Sequence, residues 1–218
     1  MKRINLVFLR LLLSSLCCSL FWSMAAQAAL EPGKQYTLIS PSQPTETGKN
    51  IEVLEFFSYA CPHCHELEPL LNPWTKKLPA DVTFRRLPAV FNDTYMIYAK
   101  IFYAIEAMGL LDKLHTPLFD AVHVQHLNLS IEKTMQEWVT KQGVDGKKFA
   151  DTYASFAVSS KAQRAKQLTR AYAISGVPSI AVEGKYLSSA SQVGGNEQLL
   201  PTLDELIKKA RQERSGKN

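Results

Sequence analysis

Apolar positions in this chain change period several times, and each change marks a predicted element. Ile51-Glu52-Val53-Leu54-Glu55-Phe56-Phe57 is β-branched and aromatic, and predicts a strand. A helical pattern runs from Pro62 to about Lys77. Pro62 suits the first helical position, where a missing N–H is no loss, and Pro73 predicts a kink further along. Val82–Leu87 reads as the next strand, which makes a β-α-β start. A short apolar run at Tyr36–Ile39 fits an edge strand in the proline-containing lead-in.

From Asn92 to about Ser175 the period is helical throughout. Asp93 is a candidate cap for a helix over Thr94–Met108, in which Lys100 and Glu106 are the only charges; a helix so apolar predicts burial. Further helices fit Leu111–Val124, Ile131–Lys141, Gly146–Phe156 and Ser160–Ile174, with turns at Asn128 and Gly143-Val144-Asp145. Strands then return at Gly176–Val182 and Lys185–Leu187, joined by a hairpin-type turn at Glu183-Gly184. Leu203, Leu206, Ile207 and Ala210 put an apolar stripe on a last helix, with Arg214–Asn218 expected to fray. A helical block inside a strand–helix frame predicts an α/β fold with an inserted helical subdomain.

The N-terminus changes the bulk reading. Lys2, Arg3 and Arg10 precede an apolar stretch to Met24, and Ala26-Gln27-Ala28 is an A-x-A cleavage pattern. Residues 1–28 therefore read as a secretory signal peptide. The remainder carries 22 basic and 20 acidic residues, so the formal charge of +5 falls to +2 and no nucleic-acid partner is called for. The cysteines fall from four to two, Cys61 and Cys64, in a chain bound for a compartment where disulfides persist. A loop that small staples little, so the pair points to chemistry rather than scaffold.

Cys61 sits where a strand–loop gives way to a helix. A thiolate there faces unpaired N–H groups and the positive end of the helix dipole. Cys64 follows one turn later. The pattern fits a nucleophile, Cys61, and a resolving thiol, Cys64. Other readings share the same residues. A zinc site would need a second ligand pair beyond Cys61, Cys64, His63 and His65. A plain structural disulfide is a third reading. Cys61-Pro62-His63-Cys64-His65 also matches the C-x-x-C-H string of c-type haem attachment.

Two segments carry a resemblance. Val53–Cys64 resembles the active-site segment of the DsbA family of periplasmic dithiol oxidases. Ser175-Gly176-Val177-Pro178-Ser179-Ile180-Ala181-Val182 is similar to that family's cis-proline loop and following hairpin. By element order the likeness extends over roughly 35–206, and it implies a thioredoxin-like fold with an inserted helical subdomain. The corresponding division is 29–91 and 158–218 for the thioredoxin-like parts and 92–157 for the insertion.

The resemblance also implies roles. Cys61 and Cys64 would exchange disulfides with folding exported proteins in the periplasm, and a membrane quinone-linked partner of the DsbB type would recharge them. The protein would work as a monomer, without metal or organic cofactor. His63 and Pro62 would tune the pair, a protonated His63 favouring the Cys61 thiolate. Glu55 would be the family's buried acid, with Arg86 as a candidate partner, and Pro88 falls where some relatives differ. Val177 and Pro178, the latter in a cis bond, would hold an extended substrate peptide. His65 reads as surface, and His115, His123 and His126 show no ligand-like partner. A disulfide isomerase of the DsbC type would need an N-terminal dimerisation domain, for which the residues before Ile51 are too few. A chaperone-like binding module with an incidental disulfide is the rival from another class.

Overall fold

The computed structural model describes residues 30–216. The expected signal segment, Cys17 and Cys18 included, lies outside the described residues. Five strands and eight helices follow in the order β1 (Thr37–Leu38), β2 (Ile51–Phe57), α1 (Pro62–Thr75), β3 (Val82–Pro88), α2 (Asp93–Ala107), α3 (Leu111–His123), α4 (Glu132–Lys141), α5 (Gly146–Ala154), α6 (Phe156–Ala171), β4 (Ser179–Val182), β5 (Tyr186–Ser188), α7 (Ala190–Val193) and α8 (Asn196–Ser215).

The strands form one sheet in the order β1-β5-β4-β2-β3. β2 is central: it runs parallel to β3, with Glu55 opposite Arg86, and antiparallel to β4, with Glu55 opposite Ile180. All seven residues of β2 are buried. That explains its near-continuous apolar sequence, because both faces are covered and neither needs to be polar. One face carries Ile51 and Val53 against Leu67 and Leu71 of α1 and Leu203, Leu206 and Ile207 of α8. The other carries Leu54 and Phe56 in a larger core with Phe102 and Ile105 of α2 and Leu114, Leu118 and Phe119 of α3. This is a thioredoxin-like fold with the helical block inserted after β3, as the element order predicts.

Several boundaries differ from the sequence expectation. The cap of α2 is Asn92, whose side chain accepts a hydrogen bond from Tyr95 N, while Asp93 sits inside the first turn. The expected helix over Gly146–Phe156 stops at Ala154. Ser155 is extended, ends α5 and caps α6 by accepting from Val158 N, so the next helix starts at Phe156 rather than Ser160. Periodicity could not find that break, since a single extended serine barely disturbs the pattern. β4 begins at Ser179; Gly176–Pro178 are loop. At the C-terminus, Arg214 belongs to α8 and does not fray: its guanidinium donates to Glu183 and to the Lys49 and Asn50 carbonyls.

The hairpin between β4 and β5 turns on Glu183 and Gly184, both at positive φ (57° and 60°), the twist-compatible turn for two antiparallel strands. Gly184 is required there twice over, because a Cβ would come within 2.1 Å of the Gln43 carbonyl oxygen.

Candidate functional site

Cys61 is the N-cap of α1, with extended backbone (φ −96°, ψ 115°), and Pro62 follows at the first helical position. Both residues are placed by the chain reversal at the end of β2, where Cys61 N donates to Ser58 O at 3.0 Å. The two cysteines are free thiols. Cys64 is fully buried, whereas Cys61 keeps 7% of its surface exposed, so an incoming sulfur meets Cys61 first.

Their acidities diverge. The hydrogen bond from the Cys64 thiol is the main reason Cys61 is lowered to about 6; burial opposes it, and the Cys64 and His63 backbone N–H groups and the His63 charge add to it. Burial pushes the Cys64 thiol far up, and the neighbouring Cys61 and Glu55 push it further. The pair is therefore a ready thiolate beside a thiol that holds its proton.

His63 is exposed, with Nδ1 3.0 Å from Glu66 Oε2. That hydrogen bond is the first cause of its raised pKa, ahead of the Cys61 charge. Its imidazolium is thus shared between Glu66 and Cys61. His63, expected from the sequence to tune the pair, is one of several groups that lower Cys61, after the Cys64 thiol and the backbone N–H groups of Cys64 and His63.

Opposite the sulfurs, the Val177–Pro178 peptide is cis, as is Ser40–Pro41. The Val177 carbonyl accepts from the Cys61 thiol at 3.2 Å. A groove of about 600 Å³ continues from this point, bordered by His63, Glu66, Gly176–Ser179 and the segment 189–196. Phe91, 39% exposed, and Tyr95 meet edge to face at 5.1 Å; burial first, and then the nearby Cys61 charge, raise the Tyr95 pKa.

Beneath the pair lies a network of which sequence reasoning found only two members. Glu55 is fully buried, and burial raises its carboxyl to about 8 against the opposing charge of Arg86. Arg86 Nε approaches Glu55 Oε2 at 3.2 Å, but neither Glu55 oxygen nor Arg86 Nε has a hydrogen-bond partner, so the contact is Coulombic only. Arg86 aims its Nη2 at Glu68 Oε1 (3.2 Å) and Asn72 Oδ1 (2.9 Å) instead. His115 then joins Glu68 Oε1 (3.2 Å from Nε2) to the Tyr59 hydroxyl (2.7 Å from Nδ1). Glu68 had no sequence signal beyond a charged residue seven positions after Cys61, on the face of α1 that also buries Cys64, Leu67 and Leu71.

His115 and His123, which show no ligand-like partner in the sequence, make hydrogen bonds here, and His65, expected at the surface, is only partly exposed. His65 is 27% exposed at its side chain, pairs with Asp120 at 3.0 Å, and stacks on His123 with ring centroids 5.2 Å apart. His123 Nε2 contacts the Tyr59 carbonyl at 2.8 Å. Only packing of the insertion against α1 brings these residues together. Pro88 ends β3 in register with Phe57 and is buried. Among the described residues, no cluster of His, Cys, Asp and Glu could hold a metal ion, and no helix is long and apolar enough to cross a membrane.

Residues 86–207 match the family described as DSBA-like thioredoxin domain. The chain is 40% identical over 202 residues to the thiol:disulfide interchange protein DsbA of Pseudomonas aeruginosa, covering 92% of this chain and 96% of that protein. To the DsbA of Azotobacter vinelandii it is 42% identical over 184 residues, 84% of this chain and 86% of that protein. The crystal structure of Pseudomonas aeruginosa DsbA superposes with a TM-score of 0.82 at 39% identity, covering 85% of this chain and 97% of that one. The oxidoreductase NmDsbA1 of Neisseria meningitidis gives 0.78 at 31%, covering 87% and 98%.

Proposed function

This chain belongs to the DsbA family of thiol:disulfide oxidoreductases, and on that premise we propose that it is a periplasmic dithiol oxidase working through Cys61 and Cys64. The observation that carries this reading is the asymmetry of the pair: Cys61 is reachable and acidic, Cys64 enclosed and far from ionising.

In the oxidised protein a substrate thiolate attacks the Cys61 sulfur. A substrate–Cys61 disulfide forms, the Cys61–Cys64 bond breaks, and Cys64 leaves with the electron pair and takes up a proton. Glu55, carrying a proton near neutral pH, is placed to supply it. A second substrate thiolate then attacks the substrate sulfur of the mixed disulfide. The substrate disulfide forms and Cys61 leaves as a thiolate, which the Cys64 thiol, two backbone N–H groups and His63 stabilise. A good leaving thiolate drives this direction, because exchange is faster when the departing thiol is more acidic.

Val177 offers its backbone, and the groove beside it offers room, for an extended segment of a folding exported protein. Recharging falls to a membrane quinone-linked partner of the DsbB type. The protein acts as a monomer, and 29–91 and 158–218 are its thioredoxin-like parts around an insertion at 92–157.

The test is oxidation of a reduced, unfolded disulfide protein by stoichiometric oxidised chain, followed by thiol count and recovered activity. The expected result is one substrate disulfide per Cys61–Cys64 disulfide consumed, with none from Cys61→Ser. Equal oxidation by Cys61→Ser would overturn the assignment.

A further inference from the structure

Of the side chains by which the helical insertion meets the redox centre, His115 is the one that joins the buried carboxyl network. His115, on α3, is buried with 6% exposure among four aromatic rings, Phe57, Tyr59 and Phe119 at 5.3 Å and Phe102 at 6.3 Å. Its two nitrogens find polar partners from different elements: the Tyr59 hydroxyl, two residues before Cys61, and Glu68 of α1. The charged group on the third side is Arg86 of β3, which shares Glu68 and faces Glu55.

Glu68 faces Arg86 and is held below the ordinary carboxylate range. An ionised carboxylate only accepts, so His115 Nε2 carries the hydrogen that reaches Glu68. In a neutral imidazole Nδ1 is then an acceptor, and the Tyr59 O–H donates to it. Burial holds His115 in that neutral form by lowering its pKa, although the Glu68 hydrogen bond opposes this. Every polar atom of His115 is satisfied with no net charge.

Charge balance decides the rest. Two buried carboxyls, Glu55 and Glu68, face one arginine. A second carboxylate in so enclosed a place has no cation to offset its desolvation. One of the two must keep its proton, and the hydrogen bonds show which. Glu68 receives N–H donors from His115 and Arg86, and Arg86 holds Asn72 as well; Glu55 receives none.

We propose that His115 is a positioning residue for the dithiol chemistry: its N–H bond to Glu68 keeps Glu68 as the ionised partner of Arg86, and so leaves the proton of the buried pair on Glu55, next to Cys64. It rests on the proposed oxidase reading only for its consequence, namely that the proton is stored where the leaving Cys64 sulfur needs it. Tyr59 fixes the tautomer that makes this possible. The insertion thereby acts on the reaction without touching either sulfur.

The experiment is an infrared pH titration of the buried carboxylic-acid band in the oxidised protein, assigned to Glu55 by its loss in Glu55→Gln. Wild type should titrate well above the ordinary carboxylate range, because burial of Glu55 outweighs the opposing charge of Arg86. In His115→Leu the Glu55 band should lose about half of its amplitude on the acid side of the midpoint, and a Glu68 band, identified by its loss on adding Glu68→Gln, should appear in its place, because Glu68 now competes for the proton. His115→Gln, whose amide N–H can still reach Glu68, should stay close to wild type. Should the leucine variant not fold, Tyr59→Phe carries the test, with a smaller loss of Glu55 band amplitude. An undiminished Glu55 band in His115→Leu, or in Tyr59→Phe where that variant stands in, overturns the proposal; so does a glutamine variant that loses as much amplitude as the leucine one. The titration involves no substrate, so its failure leaves the oxidase reading standing, whereas an inactive wild type with these band changes would do the reverse.

Discussion

Arg86→Met should be the most destabilising single change near the site, by about 3 kcal/mol at neutral pH, or on the order of 10 °C in melting temperature. Methionine fills a similar volume, so the loss is electrostatic rather than a cavity. Arg86 offsets the desolvation of Glu68, whose carboxyl is buried yet held below its ordinary range by His115 and Arg86. The pH dependence follows from that direction. A depressed carboxyl contributes stability above its unfolded pKa and loses it as pH falls through the folded value. The deficit of Arg86→Met should therefore be largest near neutrality and shrink towards about pH 4, where carboxyls protonate. Glu55 contributes little to this trend, since it is already protonated up to about 8. Denaturant titrations across pH check it, and adding Glu68→Gln should recover part of the loss at neutral pH. A deficit independent of pH would mean that Arg86 matters only for packing.

The second large effect concerns Cys64. Because its thiol hydrogen bond is the first cause of the acidity of Cys61, Cys64→Ala should raise the Cys61 pKa by about one unit or more, the scale of one charge-assisted hydrogen bond. Cys64→Ser, which keeps a donor of similar reach, should raise it less. His63→Ser should fall nearer the serine variant than the alanine one, since the exposed imidazolium is shared with Glu66. Ultraviolet titration of the Cys61 thiolate measures all three. If His63→Ser moved the pKa most, the exposed histidine would be the leading influence after all.

How far the site was legible depends on how local its parts are. Cys61, Pro62 and Cys64 are contiguous and sit at a strand-to-helix junction that hydrophobic periodicity marks clearly. Glu55 stood out as one of two acids in a mostly apolar strand, Glu52 being the other, and Arg86 only as a candidate partner whose register the structure supplies. Val177 and Pro178 were legible through resemblance alone, because a proline before a strand says nothing about what it faces. Tyr59, Glu68 and His115 were not legible as a set. They lie on a loop and two helices separated by up to 56 positions, and nothing in the period of any of these elements shows that they converge. His65 misled for the same reason: on α1 alone it points away from Cys64, and only the docking of α3 gives it Asp120 and His123 as neighbours. The fold itself was more legible than its joints. The strand and helix periods survive in every main element, while the single extended serine at Ser155 and the cap at Asn92 are matters of one residue's backbone.

The central claim is that Cys61 is the reactive thiolate and Cys64 the enclosed thiol. The most direct measurement is alkylation of the reduced protein by iodoacetamide across pH, with the labelled cysteine mapped by mass spectrometry. One thiol should react with a midpoint near the value of about 6 set by its hydrogen bonds, and the label should lie on Cys61. Labelling of Cys64 first, or no reaction until the alkaline range of an ordinary thiol, would contradict it.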